Sequence, residues 1–180
     1  MCLRPLLPDV TEQEIFWILN RACQASCAGG AGEFVKQDSF DVHEHVREHF
    51  TKYDTFAAYL GIELVQLGAG WCKATMPLGK EQSNGVGLAH GGAIFALADV
   101  AFGGACNSSG TVALGIVSSI NYLAPGKIGP LRAEAREVHR SKKLGHYEIV
   151  VCDGEGKTLA ICQATAYYRG DLLPGVPQAG

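Results

Sequence analysis

No stretch of the chain approaches the ~20 consecutive apolar residues of a transmembrane helix, although 47% of its 180 residues are hydrophobic. Basic residues are few: 15 Lys and Arg stand against 18 Asp and Glu, and the formal net charge is -3. Nucleic acids and anionic membranes attract basic surfaces, so we expect neither as a partner. Residues 1–10 lack the cationic segment and apolar run of a secretory signal, so we expect a cytoplasmic protein.

The seven cysteines lack the spacing of a zinc site. Cys23 and Cys27 are four residues apart, but no histidine pair or second cysteine pair accompanies them at zinc-finger spacing. Cys106, Cys152 and Cys162 have apolar neighbours, which is typical of free buried thiols in a reducing compartment. We therefore expect no metal.

Length and hydrophobic content favour one globular domain with an extension. We assign residues 1–40 to an N-terminal helical extension and linker, 41–170 to the domain, and 171–180 to a C-terminal tail. In the extension, a capping-box pattern at Thr11 predicts a helix over 12–25, and the glycine-rich run that follows predicts the linker.

The first half of the domain alternates helical and β-prone patterns. Near-helical apolar spacing predicts a helical region over 42–60, broken near Tyr53-Asp54. Two β-prone runs, 62–65 and 71–76, flank a glycine-rich turn and predict a hairpin. The polar, glycine-rich segment 80–88 is expected to be a loop.

The second half begins with a helix and continues with strands. Residues 90–107 carry no charge except Asp99, which predicts a helix buried on all sides. Four β-rich segments follow and predict a meander: 111–123, 131–138, 145–152 and 158–169. An antiparallel sheet curled around the helix would cover it, so the fold class is α+β.

Asp99 is the anomaly in this helix. A carboxylate inside an apolar helix costs several kcal/mol unless it is paired or reached by solvent, on the order of the penalties for buried charges. A functional carboxylate is one explanation of that cost. A loop cap or a buried ion pair is the structural alternative.

Gly91 and Gly92 open the predicted helix, where backbone N–H groups are unpaired and the dipole is positive. Such a terminus suits the oxyanion that forms when a carbonyl is attacked, although glycines there can also merely end a loop. His90 and Asp99 are nine residues apart, about 900° of rotation and roughly 13 Å of rise on an ideal helix. If both serve one reaction, they meet through a second subunit, which predicts a homo-oligomer.

Asn84, His90-Gly91-Gly92 and Asp99 have the spacing Asn-x5-His-Gly-Gly-x6-Asp, and small residues fill the helix end at 101–107. With the strand end at 121–126, the chain resembles the PaaI-like branch of hotdog-fold acyl-CoA thioesterases, over about residues 46–169. The resemblance implies a curved antiparallel sheet wrapped around one long central helix, in dimers or tetramers. It also implies hydrolysis of aryl- or medium-chain acyl-CoA, with coenzyme A as part of the substrate and no separate cofactor.

The resemblance also implies roles for the motif residues. Asp99 would act as general base on water or as nucleophile, and the Gly91 N–H would polarise the thioester carbonyl. Asn84 would help to place the water or the carboxylate. His90 would support the loop and the carbonyl, and Gly92 would line the substrate site.

Two further groups of residues are candidates by the same resemblance. Relatives place a Ser or Thr of the strand after the helix near the water. Ser118 and Ser119 are available, and Gly115 is an alternative for the family position; we choose Ser119 without knowing the strand register. A basic turn between two strands is expected to hold the phosphates of coenzyme A, or else is an ordinary solvated turn. Its candidate residues are Arg140, Lys142 and Lys143.

Two other functions are compatible with the pattern. One is a non-catalytic acyl-CoA sensor whose N-terminal segment reads DNA, but residues 1–40 hold three basic and five acidic side chains, whereas DNA-binding segments are normally basic. The other is a hotdog dehydratase, which needs a catalytic histidine paired with an acid on the buried helix. His90 precedes the helix, and Asp99 stands alone within it.

Overall fold

The computed structural model describes residues 40–178, so the predicted helix over 12–25 and its linker lie outside the described residues. The described part contains three α-helices and one six-stranded antiparallel sheet. In chain order the elements are α1 (Val42–Tyr53), α2 (Thr55–Leu60), β1 (Glu63–Gly68), β2 (Trp71–Met76), α3 (Gly91–Asn107), β3 (Thr111–Tyr122), β4 (Leu131–Arg140), β5 (Leu144–Cys152) and β6 (Thr158–Leu172).

The strand order in the sheet is β1-β2-β4-β5-β6-β3. The predicted hairpin is therefore confirmed as β1-β2, and the last three strands form a meander. The prediction that β3 belongs to that meander is wrong, because β3 pairs with β6 from Thr111↔Leu172 to Tyr122↔Ala160 and forms an edge of the sheet. Strand patterns locate strands but not their partners, and the link over 123–130 crosses the sheet instead of closing a hairpin.

The core lies between α3 and the concave face of the sheet. Alternate residues of β4, β5 and β6 point towards the helix, as the period-2 geometry of a strand requires. Leu97 on the helix, Tyr147 and Ile149 on β5 are almost completely buried, and the rings of Phe102 and Tyr147 meet edge to face with centroids 5.2 Å apart. This is the predicted arrangement of one long helix wrapped by a curved sheet.

The prediction that α3 is buried on all sides is wrong. Gly92 and Asp99 are exposed, and Phe95 and Gly103 are only partly buried, so these residues form an open stripe along one side of the helix. A single concave sheet cannot enclose the whole circumference of a helix. Within one chain, α1 and α2 cover part of the α3 surface that the sheet leaves open.

The break predicted near Tyr53-Asp54 is confirmed. α1 ends at Tyr53, and Asp54 is the N-cap of α2, where its Oδ1 accepts a hydrogen bond from the Ala57 N–H at 2.9 Å. An aspartate at this position satisfies one of the unpaired donors of the new helix.

The chain continues in contact with the fold beyond the predicted domain end at 170, since β6 runs to Leu172. The Leu173 N–H donates to the Gly110 oxygen at 2.8 Å, and His45 Nε2 donates to the Pro174 oxygen, also at 2.8 Å. Of the helices within 40–178, each is too short or too polar to cross a membrane.

Candidate active site

The first turn of α3 presents backbone donors at one end of the fold. His90 is the N-cap, and its Nδ1 accepts a hydrogen bond from the Gly92 N–H at 2.9 Å. The N–H of the preceding residue, Gly91, has no hydrogen-bond acceptor among residues 40–178. His90 therefore orders the helix start, and the Gly91 N–H stays available at the positive end of the helix dipole.

Tyr122, at the end of β3, closes one side of this helix start. Its hydroxyl donates to the Gly91 oxygen at 2.9 Å, and a Cβ atom placed on Gly91 would lie 3.4 Å from Tyr122 Cζ. Sequence reasoning did not select Tyr122 as a site residue. Its position in the strand end 121–126 was the available signal, but the contact depends on where β3 ends relative to α3.

A cleft of about 370 Å³ opens beside Gly91. Most of its walls are apolar side chains from the loop before α3, the helix itself and the end of β3. The lining residues are Asn84, Leu88, Ala89, Gly91, Ile94, Tyr122, Leu123, Ala124, Pro125 and Gly126. The cleft therefore offers an apolar wall next to an unpaired N–H group.

Asn84 lines this cleft and also fixes the loop before it. Its Oδ1 accepts hydrogen bonds from the Val86 N–H at 3.0 Å and from the Leu88 N–H at 3.1 Å. The side-chain oxygen is thus used within the loop. The amide NH₂ has no partner among the residues that the structure describes, and it remains free to donate to a ligand.

Asp99 lies on the open stripe of α3, two helical turns after Gly91. The surrounding protein removes part of its hydration, and this desolvation is the main reason that the pKa of the Asp99 carboxyl is raised; the negative charge of Asp54 raises it further. Within 40–178 no hydrogen bond or ion pair to Asp99 is present. The loop cap and buried ion pair considered for Asp99 are therefore absent in the described chain.

Asp99 and Gly91 do not share one cleft within a single chain. Asp99 is eight positions after Gly91 on the helix, about 12 Å of rise, and it is not among the residues that line the cleft at Gly91. A site that used both groups would therefore need a second chain.

The register of β3 favours Ser118 over the chosen Ser119. Ser118 pairs with Ala164, which is buried towards the helix, whereas Ser119 pairs with Gln163, which is exposed on the other face. Directly opposed residues of antiparallel strands share a face. Ser118 therefore lies on the helix side of the sheet and Ser119 on the other side, a distinction that the pattern of β3 alone did not provide; the site role of Ser119 stays a prediction.

The basic turn lies at the far end of α3 from the Gly91 of the same chain. Arg140 ends β4, which runs alongside β2 towards the C-terminal end of the helix. Its guanidinium lies 3.8 Å from the centre of the Tyr168 ring and 3.6 Å from the Glu137 carboxylate. Lys142 is exposed, and Lys143 Nζ lies 5.6 Å from the centre of the Tyr167 ring.

Histidine, cysteine and acidic side chains do not gather in groups of three or more that could hold a metal ion anywhere in the described range 40–178. The pair Cys23 and Cys27 lies outside that range. Cys72 and Cys106 are buried free thiols, and burial raises the pKa of each to about 12. Both thiols are thus protonated at neutral pH.

Comparisons with known proteins agree with this geometry. The sequence profile of the thioesterase superfamily matches residues 86–160, which include α3 and most of the sheet. The acyl-coenzyme A thioesterase PaaI of Escherichia coli (strain K12) is 35% identical over 123 residues, 68% of this chain and 88% of that protein. A putative esterase of Archaeoglobus fulgidus is 36% identical over 132 residues, 73% of this chain and 86% of that protein.

The fold gives the same result. The solved structure of the E. coli PaaI protein, from the phenylacetic acid degradation operon, superposes with a TM-score of 0.70 at 32% identity and covers 74% of this chain and 99% of that one. On its sequence and its architecture, the chain belongs to the thioesterase superfamily and is a thioester hydrolase with the hotdog fold.

Proposed function

We propose that this protein hydrolyses acyl-CoA thioesters to the free acid and coenzyme A, in sites that two copies of the chain build together. The observation that carries the proposal is the open stripe of α3. It leaves a carboxylate exposed on a mostly buried helix, two turns from an N–H group without an acceptor in the described chain, which one chain cannot bring to it.

An exposed edge strand supports the role of a second copy. β3 has β6 as its neighbour on one side, and its other edge carries unpaired backbone groups within the described chain. Leu114, Ile116 and Val117 on this strand are between 52% and 58% exposed. Pairing of two β3 strands about a twofold axis would cover these side chains and set two α3 helices side by side in opposite directions. Gly91 of one copy would then lie beside Asp99 of the other.

In this site the reaction needs three steps. The Asp99 carboxylate takes a proton from water, and the hydroxide adds to the thioester carbonyl carbon while the Gly91 N–H donates to the carbonyl oxygen. Collapse of the tetrahedral intermediate breaks the C–S bond. The proton held by Asp99 passes to the coenzyme A thiolate, which leaves as the thiol, and the acyl group leaves as the acid.

The apolar side of the cleft favours an aryl or medium-chain acyl group. Leu88, Ile94 and Leu123 line it beside Tyr122, and such walls bury an apolar acyl group favourably. Helices in opposite directions would also bring the turn of one copy, with Lys142 and Lys143, towards the cleft of the other. There these lysines could pair with coenzyme A phosphates, whereas Arg140 already contacts Glu137 and Tyr168.

Thiol release from phenylacetyl-CoA and octanoyl-CoA tests the function. Asp99→Asn keeps the shape of the side chain and removes the base, so we expect a folded dimer with kcat reduced about 10²–10⁴-fold. Turnover at the wild-type rate would exclude Asp99 as the base. Binding of both esters by the wild type without thiol release would favour a non-catalytic acyl-CoA module.

A mixed dimer tests whether the site is shared. Asp99→Asn and Gly91→Pro chains, each nearly inactive alone, are co-expressed with different tags, and the heterodimer is purified. One of its two sites then combines an intact Asp99 with an intact Gly91, so about half of the wild-type activity per dimer should return. A heterodimer as inactive as its parents would show that base and donor act within one chain.

A further inference from the structure

α1 lies antiparallel to α3 and contacts it at Gly103, the C-terminal end of the open stripe. A Cβ atom placed on Gly110, just after α3, would lie 2.9 Å from Val42 Cγ2 at the start of α1. One placed on Gly103, within α3, would lie 3.2 Å from Phe50 Cε1, near the end of α1. The start of α1 therefore lies near the end of α3, and the end of α1 lies nearer the middle of α3, so the two helices run in opposite directions.

One further turn in this direction along both elements leads to two acidic residues, Asp54 and Asp99. Asp54 is four residues after Phe50, and Asp99 is four residues before Gly103, so each lies about one helical turn beyond the Phe50–Gly103 contact. The charge of Asp54 also contributes to the raised pKa of Asp99, which is consistent with the two residues being neighbours. The α1–α2 junction therefore sits level with the exposed acid of α3.

Asp54 is held rigidly at this junction. Its Oδ1 accepts from the Ala57 N–H at 2.9 Å, and its own N–H donates to the Phe50 oxygen at 2.9 Å. The side chain is half-buried and has no cationic partner in the part of the chain that the structure describes. Asn or Ser would cap α2 equally well, so the cap by itself does not require a negative charge here.

We propose that Asp54 is a positioning residue of the hydrolytic site, which fixes the α1–α2 junction opposite Asp99 and holds a second negative charge beside the base. The inference rests on the proposed role of Asp99. A neighbouring like charge disfavours the ionised form of Asp99 and so makes it a stronger base. The other titratable groups that interact with Asp99 are the thiols of Cys106, on the same helix, and Cys162, on β6; burial raises the pKa of both thiols, so they add no charge at neutral pH.

The pH profile of kcat/KM distinguishes this role from simple capping. Activity falls as pH drops through the pKa of Asp99, because the base becomes protonated. Asp54→Asn and Asp54→Ser keep a capping oxygen but remove the charge, so the acidic limb should move to lower pH and the plateau should fall several-fold with octanoyl-CoA as probe. Both variants should keep the wild-type Tm within about 2 °C, since Asn and Ser are good N-caps.

Asp41→Asn is the matched control. Asp41 is the N-cap of α1, where its Oδ1 accepts from the His43 and Glu44 N–H groups, at the end of α1 far from Asp99. This change also removes one negative charge from a cap, and the acidic limb should stay in place. Asp54→Glu, which retains the charge, should stay closer to the wild-type profile than Asp54→Asn does.

Unchanged acidic limbs in both Asp54→Asn and Asp54→Ser would overturn the inference, whether or not Tm falls. The same limb shift in Asp41→Asn would also overturn it, because the effect would then be one of overall charge. Failure of the proposed function gives a different result: Asp99→Asn would retain wild-type turnover. An inactive Asp99→Asn with unshifted Asp54 variants would leave the function intact and remove only the role of Asp54.

Discussion

The two ends of α3 are built in opposite ways. At the C-terminal end, Asn107 is buried; its Nδ2 donates to the oxygens of Gly103 at 3.0 Å and Ala113 at 3.1 Å, and its Oδ1 accepts from the Ala113 N–H at 2.9 Å. At the N-terminal end, the Gly91 N–H is left without an acceptor in the described chain. The side chain of this asparagine is fully paired within the fold, whereas the N-terminal donor belongs to a residue that lines a cleft.

This difference separates stability from chemistry along one helix. Buried polar groups that are fully paired stabilise the fold, and a loss of one partner leaves the others unsatisfied. An unpaired N–H at a solvent-accessible helix start costs little in the free protein and is free to bind a developing oxyanion. We therefore expect substitutions at the N-terminal end to change rate and those at the C-terminal end to change stability.

The largest effect is expected from Gly91→Pro. Proline is favoured at the first position of a helix, and His90 has φ -68 and ψ 133, which suits a residue before proline. The substitution thus removes the N–H with little change in the helix, and kcat should fall by about 10²–10³-fold, the typical loss for one oxyanion donor. Thiol-release kinetics with octanoyl-CoA and a thermal melt measure the two quantities.

Gly91→Ala is the control for that change. It keeps the N–H, and its Cβ would lie in ordinary contact with Tyr122, 3.4 Å from Cζ. Its loss of kcat should be much smaller than that of Gly91→Pro. Equal losses in both variants would mean that space at the cleft, and not the donor, matters at this position.

A smaller effect, on stability, is expected from Asn107→Ala. The change leaves the Ala113 N–H and oxygen without their side-chain partners in a buried site, so unfolding in urea should show a loss of about 2–3 kcal/mol. The kcat of the folded protein should stay close to wild type. Ser109→Ala, at an exposed neighbouring position, serves as the control, and a loss of rate without loss of stability in Asn107→Ala would break the contrast between the two ends.

The smallest effect is expected from His45→Ala. This change probes the segment after β6, residues 173–176, which packs beside the C-terminal end of α3. The Nε2 donation to the Pro174 oxygen at 2.8 Å is partly solvent-exposed, so its loss should cost about 0.5–1.5 kcal/mol of unfolding free energy. Glu48→Ala, an exposed position on the same helix, is the control. No change in urea midpoint relative to this control would show that the tail does not stabilise the C-terminal region.

Much of the local structure was predictable because its causes are local. The break at Asp54, the hairpin β1-β2 and the start of α3 after His90 follow from capping residues, turn residues and apolar periodicity within a few positions. The spacing of Asn84, His90 and Asp99 was also sufficient to indicate the family, because each residue keeps its place relative to one helix.

The sequence by itself thus determined the order of helices and strands, and it indicated Asp99 and Gly91 as the candidate acid and donor that we propose. Only the tertiary structure decided that β3 pairs with β6, that Ser118 and not Ser119 faces inward, and that Tyr122 closes the cleft. It also decided that α3 has an open stripe. These features join residues that are distant in the chain, and their relative positions are fixed by packing and strand register, which no local pattern of side chains specifies.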